Sequence, residues 1–346
     1  MPDLAELLGV ERPIVLGPFG GLSSIELTAA VSERGGLGSY GLYGYDPARI
    51  LETAAALRAA TDRPFALNLW VPHDEVEQVP AEEFQRYARA LLPFFDELGL
   101  ELPERPDRYL PPFEAQLDAV LEARPAAVSF VFGVPSAAVV EAAHAMGIAV
   151  VGTATNVDEA VALERGGADA IVATGPEAGG HRVSFLRPAE ESLVGIFALL
   201  PQVADAVEVP VIAAGGIADR RGVAAAFALG ASGVQVGTAF LRTEQSATTD
   251  AHRRAITQTP AHGSVLTRAM SGRLARGIPN RAMRTIEARG VVAPFPVQNW
   301  LTGRFRAEAG RRGLGELQSL WAGQAAALAR EADAGAVFDE LAAGLP

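Results

Sequence analysis

The chain has 346 residues, of which 49% are hydrophobic and 20% are charged, so it fits either one barrel-sized domain with an insertion or two ordinary domains. This composition excludes an intrinsically disordered protein and a collagen-like protein. The formal net charge is −12 and the sequence contains no basic block, so we expect no nucleic-acid partner.

Short aliphatic runs alternate with amphipathic segments from Ile14 to Val236, a pattern typical of repeated βα units around a parallel sheet. Eight such runs occur, at residues 14–16, 37–40, 65–69, 127–130, 149–151, 170–173, 211–214 and 233–236. Because eight parallel strands alternating with helices make up an α/β TIM (β/α)8 barrel, we predict that fold for residues 1–240.

Capping residues predict where several of the intervening helices begin. Ser23 and Glu26 have the spacing of a capping box, and Asn156 with Glu159 repeats it. Asp219 predicts the start of a further helix.

Two regions depart from the simple βα alternation. Residues 71–112 are longer and richer in Pro and Glu than a βα loop, which predicts an extra helix over 82–97 followed by irregular chain on the barrel rim. Beyond Phe240 the alternation ends, and residues 241–315 predict a mostly helical subdomain on the substrate side. Residues 316–346 are expected to return to the barrel as a C-terminal helix, within an apolar pattern that begins near 315.

The sequence also indicates in which cellular compartment the protein is expected. It has no cysteine, so a disulfide framework is excluded and the cytoplasm is the expected location. Residues 1–12 carry three acidic side chains and lack the basic start of a secretory signal. The best apolar run, 199–214, is interrupted by Asp205 and Glu208 and falls short of the roughly 20 residues that a membrane helix needs, so no membrane partner is expected.

Missing residue types restrict the chemistry. All 29 basic residues are Arg, and the absence of Lys excludes Schiff-base chemistry and a Walker-type phosphate loop. The absence of Cys excludes a thiolate nucleophile and thiolate-bound metal. The five histidines show no metal-ligand spacing, so we expect no metal.

Two glycine-rich loops follow late strands, where the site of a (β/α)8 barrel forms. Gly215 and Gly216 follow the seventh run, and the eighth ends in Gln235-Val236-Gly237-Thr238. Glycine lets backbone N–H groups approach an anion closely, and the helix beginning near Asp219 adds its positive end. One glycine pair alone is more simply a turn, whereas the two loops together indicate a phosphate-bearing ligand.

The candidate general base is His181, which ends a glycine-flanked loop after the sixth run. Imidazole titrates near neutrality, and the other four histidines lie in a predicted helix or in segments without a convergent acid. With neither Cys nor Lys in the chain, a phosphate-anchored flavin or nicotinamide would have to supply redox chemistry.

Several motifs together resemble the nitronate monooxygenases, formerly called 2-nitropropane dioxygenases. They lie at residues 13–38, 177–181, 210–217 and 229–241. The sequences Ser271-Gly272-Arg273 and Ala275-Arg276-Gly277 also resemble that family's motif after the barrel, so the likeness covers nearly the whole chain.

This resemblance implies an FMN-dependent barrel in which His181 removes the α-proton of a neutral nitroalkane or holds the anionic nitronate beside the flavin. It implies a small nitro compound and O2 as partners and a carbonyl compound and nitrite as products, in a monomer or homodimer. The residues that we assign to the cofactor are Asn68, Thr174, Gly179, Gly180, Gly215, Gly216, Gln235, Val236, Gly237 and Thr238.

Three positions depart from the family pattern. Thr174 stands where the family usually has Gln, Phe19 where it usually has Met, and Val183 where it usually has Gly. Phe19 and Tyr109 are the candidate substrate-pocket residues. Tyr109 matches an aromatic position of relatives, and the alternative is that it packs against the rim loop.

Two other functions stay open. Relatives that are NAD(P)H-dependent flavin reductases of enoyl thioesters or quinones share the Gly-Gly-His loop. A barrel isomerase that binds a sugar phosphate without redox chemistry is the second alternative. Anaerobic bleaching of a bound flavin by NADH or NADPH would favour the reductase, and a colourless protein would favour the isomerase.

Overall fold

The computed structural model describes residues 3–73 and 78–346, and these contain strands belonging to two sheets. The strands are β1 (Ile14–Leu16), β2 (Gly38–Gly41), β3 (Phe65–Trp70), β4 (Ala127–Val131), β5 (Ala149–Ala154), β6 (Ala170–Thr174), β7 (Gly180–His181), β8 (Val211–Ala214), β9 (Gly233–Val236), β10 (Val265–Thr267) and β11 (Ala275–Gly277).

Eight of these strands form one parallel sheet in the order β1-β9-β8-β6-β5-β4-β3-β2. The two ends of this order also meet, because the Leu16 N–H donates to the Leu37 carbonyl at 2.9 Å and the Leu37 N–H donates to the Ile14 carbonyl at 2.9 Å. A parallel eight-stranded sheet whose ends are hydrogen-bonded is a closed (β/α)8 barrel. The fold prediction is confirmed, and each predicted run overlaps one barrel strand.

Helices connect the strands and cover the outside of the barrel. They are α1 (Leu4–Leu8), α2 (Ile25–Glu33), α3 (Pro47–Ala60), α4 (Ala81–Leu98), α5 (Phe113–Ala123), α6 (Ala137–Ala145), α7 (Val157–Arg165), α8 (Ile196–Ala206), α9 (Arg220–Ala228), α10 (Thr238–Leu241), α11 (Asp250–Gln258), α12 (Arg281–Arg289), α13 (Val297–Arg311) and α14 (Ala334–Ala342). None of the helices in the described ranges has both the length and the apolar character that crossing a bilayer requires.

The first capping prediction is displaced by one residue. Ser24, not Ser23, caps α2, because its Oγ accepts the N–H of Leu27 at 3.0 Å. The Ser23 hydroxyl instead accepts the N–H of Gly41 at 3.1 Å and donates to the Phe19 carbonyl at 2.9 Å. Ser23 therefore ties the loop after β1 to the end of β2.

The other two capping predictions hold. Asn156 caps α7 by accepting the Glu159 N–H at 2.9 Å, and Asp219 caps α9. The buried Glu159 carboxylate accepts the Thr155 N–H and the Phe185 N–H, each at 2.7 Å. This carboxylate thus joins the loop after β5 to the chain that follows β7.

The amino-terminal end of the barrel is plugged by α1. Leu4 and Leu8 pack in one apolar cluster with inward-facing strand residues such as Val15, Val172 and Ile212. Because this end is filled with aliphatic side chains, open space inside the barrel is confined to the carboxyl ends of the strands, where such barrels place their sites.

Beyond the barrel, residues 241–315 are not helical throughout. Strand β11 pairs antiparallel with β10 and with β7, and Ala275 lies opposite His181. The prediction of helices and turns alone missed β10 and β11, which have only three residues each and so cannot show a period of two. This second sheet attaches the His181 strand to the C-terminal region.

Two further segments cover the barrel. The predicted extra helix is α4, which packs with α12 and α13 in a separate apolar cluster; residues 74–77 of the predicted rim stretch lie outside the described residues. Residues 315–330 contain short 3₁₀ helices, not an α-helix. The C-terminal helix is α14, and its Val337, Phe338 and Leu341 join the apolar layer outside the barrel strands.

Candidate active site

A cavity of about 390 Å³ lies at the carboxyl ends of the barrel strands. Its wall combines strand ends, the loops that follow them and a stretch of chain from the C-terminal region. The predicted site residues that line this cavity are Phe19, Asn68, Thr174, Gly179, Gly180, His181, Gly215, Gly216, Gln235, Gly237 and Thr238.

Two predicted residues do not line it. Val236 is 1% exposed and packs in the layer between barrel and helices. Tyr109 lies in the wall of a second cavity of about 450 Å³, with its ring centroid 5.8 Å from that of Trp300. Burial raises the pKa of the Tyr109 hydroxyl, which has no hydrogen-bond partner within residues 3–73 and 78–346. This placement agrees with the rim-packing alternative for Tyr109.

Glycine supplies left-handed backbone in the first of the two late loops that face the cavity and leaves the second loop without a side chain at Gly237. Gly215 and Gly216 have φ of +100° and +74°, a backbone region that residues with a Cβ rarely adopt. A Cβ on Gly237 would lie 3.4 Å from the Phe19 ring. The backbone of both loops is therefore open to a ligand, as a phosphate-binding loop requires.

Residues 320–325, which we call the C-terminal strap, enclose one side of the cavity. The Gly323 N–H donates to the Thr238 hydroxyl at 2.9 Å, and the Gln324 N–H donates to the Glu177 carbonyl at 2.9 Å. A Cβ on Gly179 would lie 2.7 Å from the Gly323 nitrogen, so this close approach requires glycine. The strap thus connects the loops after β6 and β9.

The strap is itself held by a buried histidine. Nε2 of His252 lies 2.9 Å from the Trp321 carbonyl oxygen, and because a carbonyl only accepts, Nε2 carries the proton. Burial lowers the pKa of His252 to about 4, so the ring is neutral at physiological pH. His252 therefore positions Trp321, whose ring lines the cavity.

Two predicted cofactor residues lie at the ends of β3 and β6. Asn68 donates from Nδ2 to the Ser129 carbonyl at 3.1 Å and to its hydroxyl at 3.0 Å, which fixes the amide so that Oδ1 is left to a ligand. The Thr174 carbonyl accepts from the guanidinium of Arg182 at 3.0 Å, and the next carbonyl, that of Gly175, accepts at 2.7 Å. Arg182 is 2% exposed and so holds this loop from inside the protein.

The imidazole of His181 lies in an aromatic surround. Its ring centroid is 5.1 Å from that of Trp70, 5.5 Å from that of Trp321 and 6.4 Å from that of Phe132. Nε2 lies 2.8 Å from the hydroxyl oxygen of Ser271. The ring is consequently fixed by apolar packing and by one polar contact.

Burial, with the nearby charges of Arg273 and Arg306 acting in the same direction, lowers the pKa of His181 to about 3. The imidazole is therefore neutral at pH 7 and has a lone pair with which to accept a proton. Its hydrogen bonds indicate which nitrogen carries that lone pair.

The Ser271 hydroxyl has one proton, and it donates this proton to the Arg273 carbonyl at 3.1 Å. We therefore assign the tautomer in which Nε2–H of His181 donates to Ser271. Among the described residues, Nδ1 of His181 has no hydrogen-bond partner, so Nδ1 is the nitrogen left to a ligand in the cavity.

Sequence reasoning did not assign roles to Ser271, Arg306 and Trp321, although all three contact His181 or line the same cavity. Ser271 belongs to a motif that was recognisable as part of the family likeness, so a signal existed for it. Arg306 and Trp321 come from helix α13 and the strap, and no local pattern distinguishes them from other Arg and Trp residues.

The chain was compared with known proteins. A family model described as nitronate monooxygenase matches residues 1–344. A curated protein named probable nitronate monooxygenase, from Staphylococcus aureus (strain Newman), is 37% identical over 340 residues, covering 98% of this chain and 95% of that protein.

Two solved structures are also similar over almost the whole chain. Nitroalkane oxidase from Streptomyces ansochromogenes superposes with a TM-score of 0.88 at 37% identity, covering 99% of this chain and 97% of that one. FabK from Thermotoga maritima gives a TM-score of 0.77 at 28% identity, covering 99% of this chain and 94% of that one. Motifs, barrel and comparisons agree, and the chain belongs to the nitronate monooxygenase family.

Proposed function

We propose that this chain is an FMN-dependent enzyme that oxidises alkyl nitronates, and more slowly neutral nitroalkanes, with O2 to carbonyl compounds and nitrite. The observation that carries the proposal is one cavity that contains a neutral, oriented imidazole at His181 together with the two glycine loops after β8 and β9. Family membership supports the substrate class.

The residues present fit FMN. Two stretches of backbone are open to an anion, one at Gly215 and Gly216 and the other in the loop of Gln235, Gly237 and Thr238. A Cβ at Gly216 would protrude towards the side chain of Glu177. We assign the phosphate to these loops. Val236 adds only backbone there, because its side chain is buried in the core.

The other residues that we assign to the cofactor would contact the flavin ring. Asn68 offers the amide oxygen left over from its bonds to Ser129, and Gly179 and Gly180 offer backbone beside His181. Thr174 offers a hydroxyl with a shorter reach than the Gln usual in the family. When bound, FMN supplies the one-electron chemistry and the reaction with O2 that no amino-acid side chain provides.

His181 would act on the α-carbon of a neutral nitroalkane by accepting its proton at Nδ1. Burial of the ring in its aromatic surround disfavours the imidazolium that results. A preformed nitronate needs no proton removed, so we expect it to be the better substrate.

A reductase that consumes NAD(P)H is the second candidate, because the similarity to FabK extends over 99% of the chain. The two candidates differ in their electron donor. The reductase requires that NADH or NADPH reduce the bound flavin, whereas nitronate oxidation requires no nicotinamide.

The deciding experiment begins with the visible spectrum of the purified protein, in which a bound flavin is expected. Nitrite release is then measured with nitroethane and with ethyl nitronate in air, and flavin bleaching by NADH or NADPH is measured without oxygen. Nitrite from ethyl nitronate and no rapid bleaching support the proposal. Rapid bleaching without nitrite release would support the reductase, and a colourless protein would overturn both.

A further inference from the structure

Arg306 places a positive charge in the wall of the cavity that contains His181. The side chain comes from α13 and its direction is fixed by hydrogen bonds. Nη1 donates to the Ser319 hydroxyl at 2.6 Å, and Nη2 donates to Oδ1 of Asn299 at 2.7 Å and to its carbonyl at 3.1 Å. Asn299 is held in turn by donating from Nδ2 to the Tyr43 hydroxyl at 3.0 Å.

These contacts occupy only some of the N–H donors of the Arg306 guanidinium. Three of its five N–H groups donate to the oxygens of Ser319 and Asn299, which leaves a second N–H on Nη1 and the N–H of Nε. The Nε atom of Arg306 is buried and has no hydrogen-bond partner in the described part of the chain.

The charge of Arg306 has no carboxylate partner in the part of the chain that is described. None of the ion pairs there includes it. Burial lowers the pKa of Arg306 only to about 10, so the side chain remains a cation at pH 7. A buried cation without a counterion is unfavourable, and an anion that enters the cavity relieves that penalty.

Among the described residues that line the cavity, the one carboxylate is that of Glu177; its charge acts on Arg182 and Arg276, and its Oε2 is buried without a hydrogen-bond partner there. Its Oε1 accepts the N–H of Ile196 at the start of α8 at 3.0 Å. Among the described residues, the charges that act on the His181 imidazole are those of Arg306 and Arg273.

We propose that Arg306 is the anion-binding residue of this cavity and that it selects the anionic nitronate over the neutral nitro compound. Its guanidinium binds the negatively charged oxygens of the nitronate group, for which an arginine with a free N–H is suited by charge and planar shape. The identity of the anion rests on the proposed function, whereas the anion site itself rests only on the cavity and its cation.

The test compares Arg306→Gln and Arg306→Lys with a matched control, Arg304→Gln. Arg304 lies on the same helix and has its guanidinium over the Trp300 ring, outside the cavity lining. The probe is nitrate, a planar oxyanion that is not oxidised, titrated into the purified flavin-loaded protein by calorimetry. We expect Arg306→Gln to weaken nitrate binding at least tenfold, Arg306→Lys to weaken it less, and Arg304→Gln to leave it unchanged.

Steady-state kinetics supply the second readout. Arg306→Gln should raise KM for ethyl nitronate at least tenfold and change KM for nitroethane less than twofold, whereas Arg306→Lys should largely restore the nitronate value. An equal change for both substrates would indicate a merely structural role and overturn the proposal, as would wild-type protein that fails to bind nitrate. If Arg306→Gln does not fold, the nitrate titration decides, because Arg306→Lys should still bind nitrate more weakly than the wild type while Arg304→Gln should not.

The nitrate arm keeps this inference separate from the proposed function. Loss of nitrate binding in Arg306→Gln, in a protein that does not oxidise nitronates, would establish the anion site and reject the proposed reaction. Nitronate oxidation that is insensitive to Arg306→Gln would support the proposed reaction and reject the role of Arg306 as the anion site.

Discussion

The hydroxyl oxygen of Ser271 lies 2.8 Å from Nε2 of His181, although the two residues are 90 positions apart in the sequence. The backbone of the same region also reaches the histidine, since Ala275 pairs with His181 across β11 and β7. The chain beyond the barrel therefore determines both where the imidazole lies and which of its nitrogens carries the proton.

Ser271→Ala should lower kcat/KM for nitroethane about fivefold, because losing a hydrogen bond of roughly 1 kcal/mol lets the imidazole populate the wrong tautomer. Activity on ethyl nitronate should change much less, since no proton is removed from it. Nitrite release from the two substrates measures the difference.

The matched control is Ser246→Ala, which removes another buried hydroxyl, one that donates to the Leu241 carbonyl at 2.8 Å. This variant should show the stability loss of a missing hydroxyl without the substrate-dependent effect. A Ser271→Ala enzyme with wild-type activity on nitroethane would contradict the tautomer argument.

His181→Asn should keep FMN bound, and its kcat/KM for neutral nitroalkanes should fall by about 10²–10⁴-fold, the usual contribution of a general base. The loss on preformed nitronates should be far smaller. Because His144 is a half-exposed helical residue whose Nε2 contacts Asp169, His144→Asn serves as the control with unchanged kinetics. Equal losses on both substrates would argue against the base role.

The barrel was predictable because each strand reads as a run of buried aliphatic residues and both of its boundaries carry turn or capping residues. The glycine loops and His181 were predictable for the same reason, since a barrel places strand-end loops on one face. Val236 shows the limit of this reasoning: adjacent residues of a strand point to opposite sides, so one member of a binding loop belongs to the core.

The sequence did not reveal the residues that reach the cavity through long-range contacts. Ser271, Trp321 and Arg306 reach the cavity from the second sheet, the strap and α13, and their positions depend on how these segments pack on the barrel. The likeness to relatives suggested Tyr109 for the substrate pocket; Tyr109 lies beside Trp300 in the wall of the second cavity, and its contact with substrate stays a prediction.

Acidification should destabilise the protein through two histidines, the half-buried His181 and the buried His252. Burial lowers the pKa of His181 to about 3 and that of His252 to about 4, while both return to ordinary values on unfolding. The unfolded chain therefore binds more protons below pH 6.5, and the free energy of unfolding falls as the pH drops from there towards 4. Each histidine contributes a slope of roughly 1 kcal/mol per pH unit in that window.

Urea unfolding of wild type, His181→Asn and His252→Asn at pH 7, 6 and 5 measures these slopes. Each variant should lose the contribution of one histidine, so its free energy of unfolding depends less steeply on pH than that of the wild type. Parallel curves for all three proteins would show that the histidines are not buried in their neutral form.

Gly216→Val should abolish tight flavin binding. Gly216 has φ of +74°, and the added side chain would protrude from the loop to which we assign the phosphate, towards Glu177. The left-handed backbone alone costs about 1–2 kcal/mol for a residue with a Cβ, so lost stability must be separated from lost binding.

The control variant Gly290→Val separates lost stability from lost flavin binding. Gly290 has φ of +64° at the end of α12, and a Cβ there would meet no atom within 4 Å. Both variants should therefore share the backbone strain, with similar losses in the free energy of unfolding of their flavin-free forms, but only Gly216→Val should have an affinity for FMN reduced at least tenfold. The flavin-to-protein ratio after purification and FMN titration of the flavin-free proteins give the two readouts. Full flavin content in Gly216→Val, or an equal loss in Gly290→Val, would show that the phosphate is bound elsewhere.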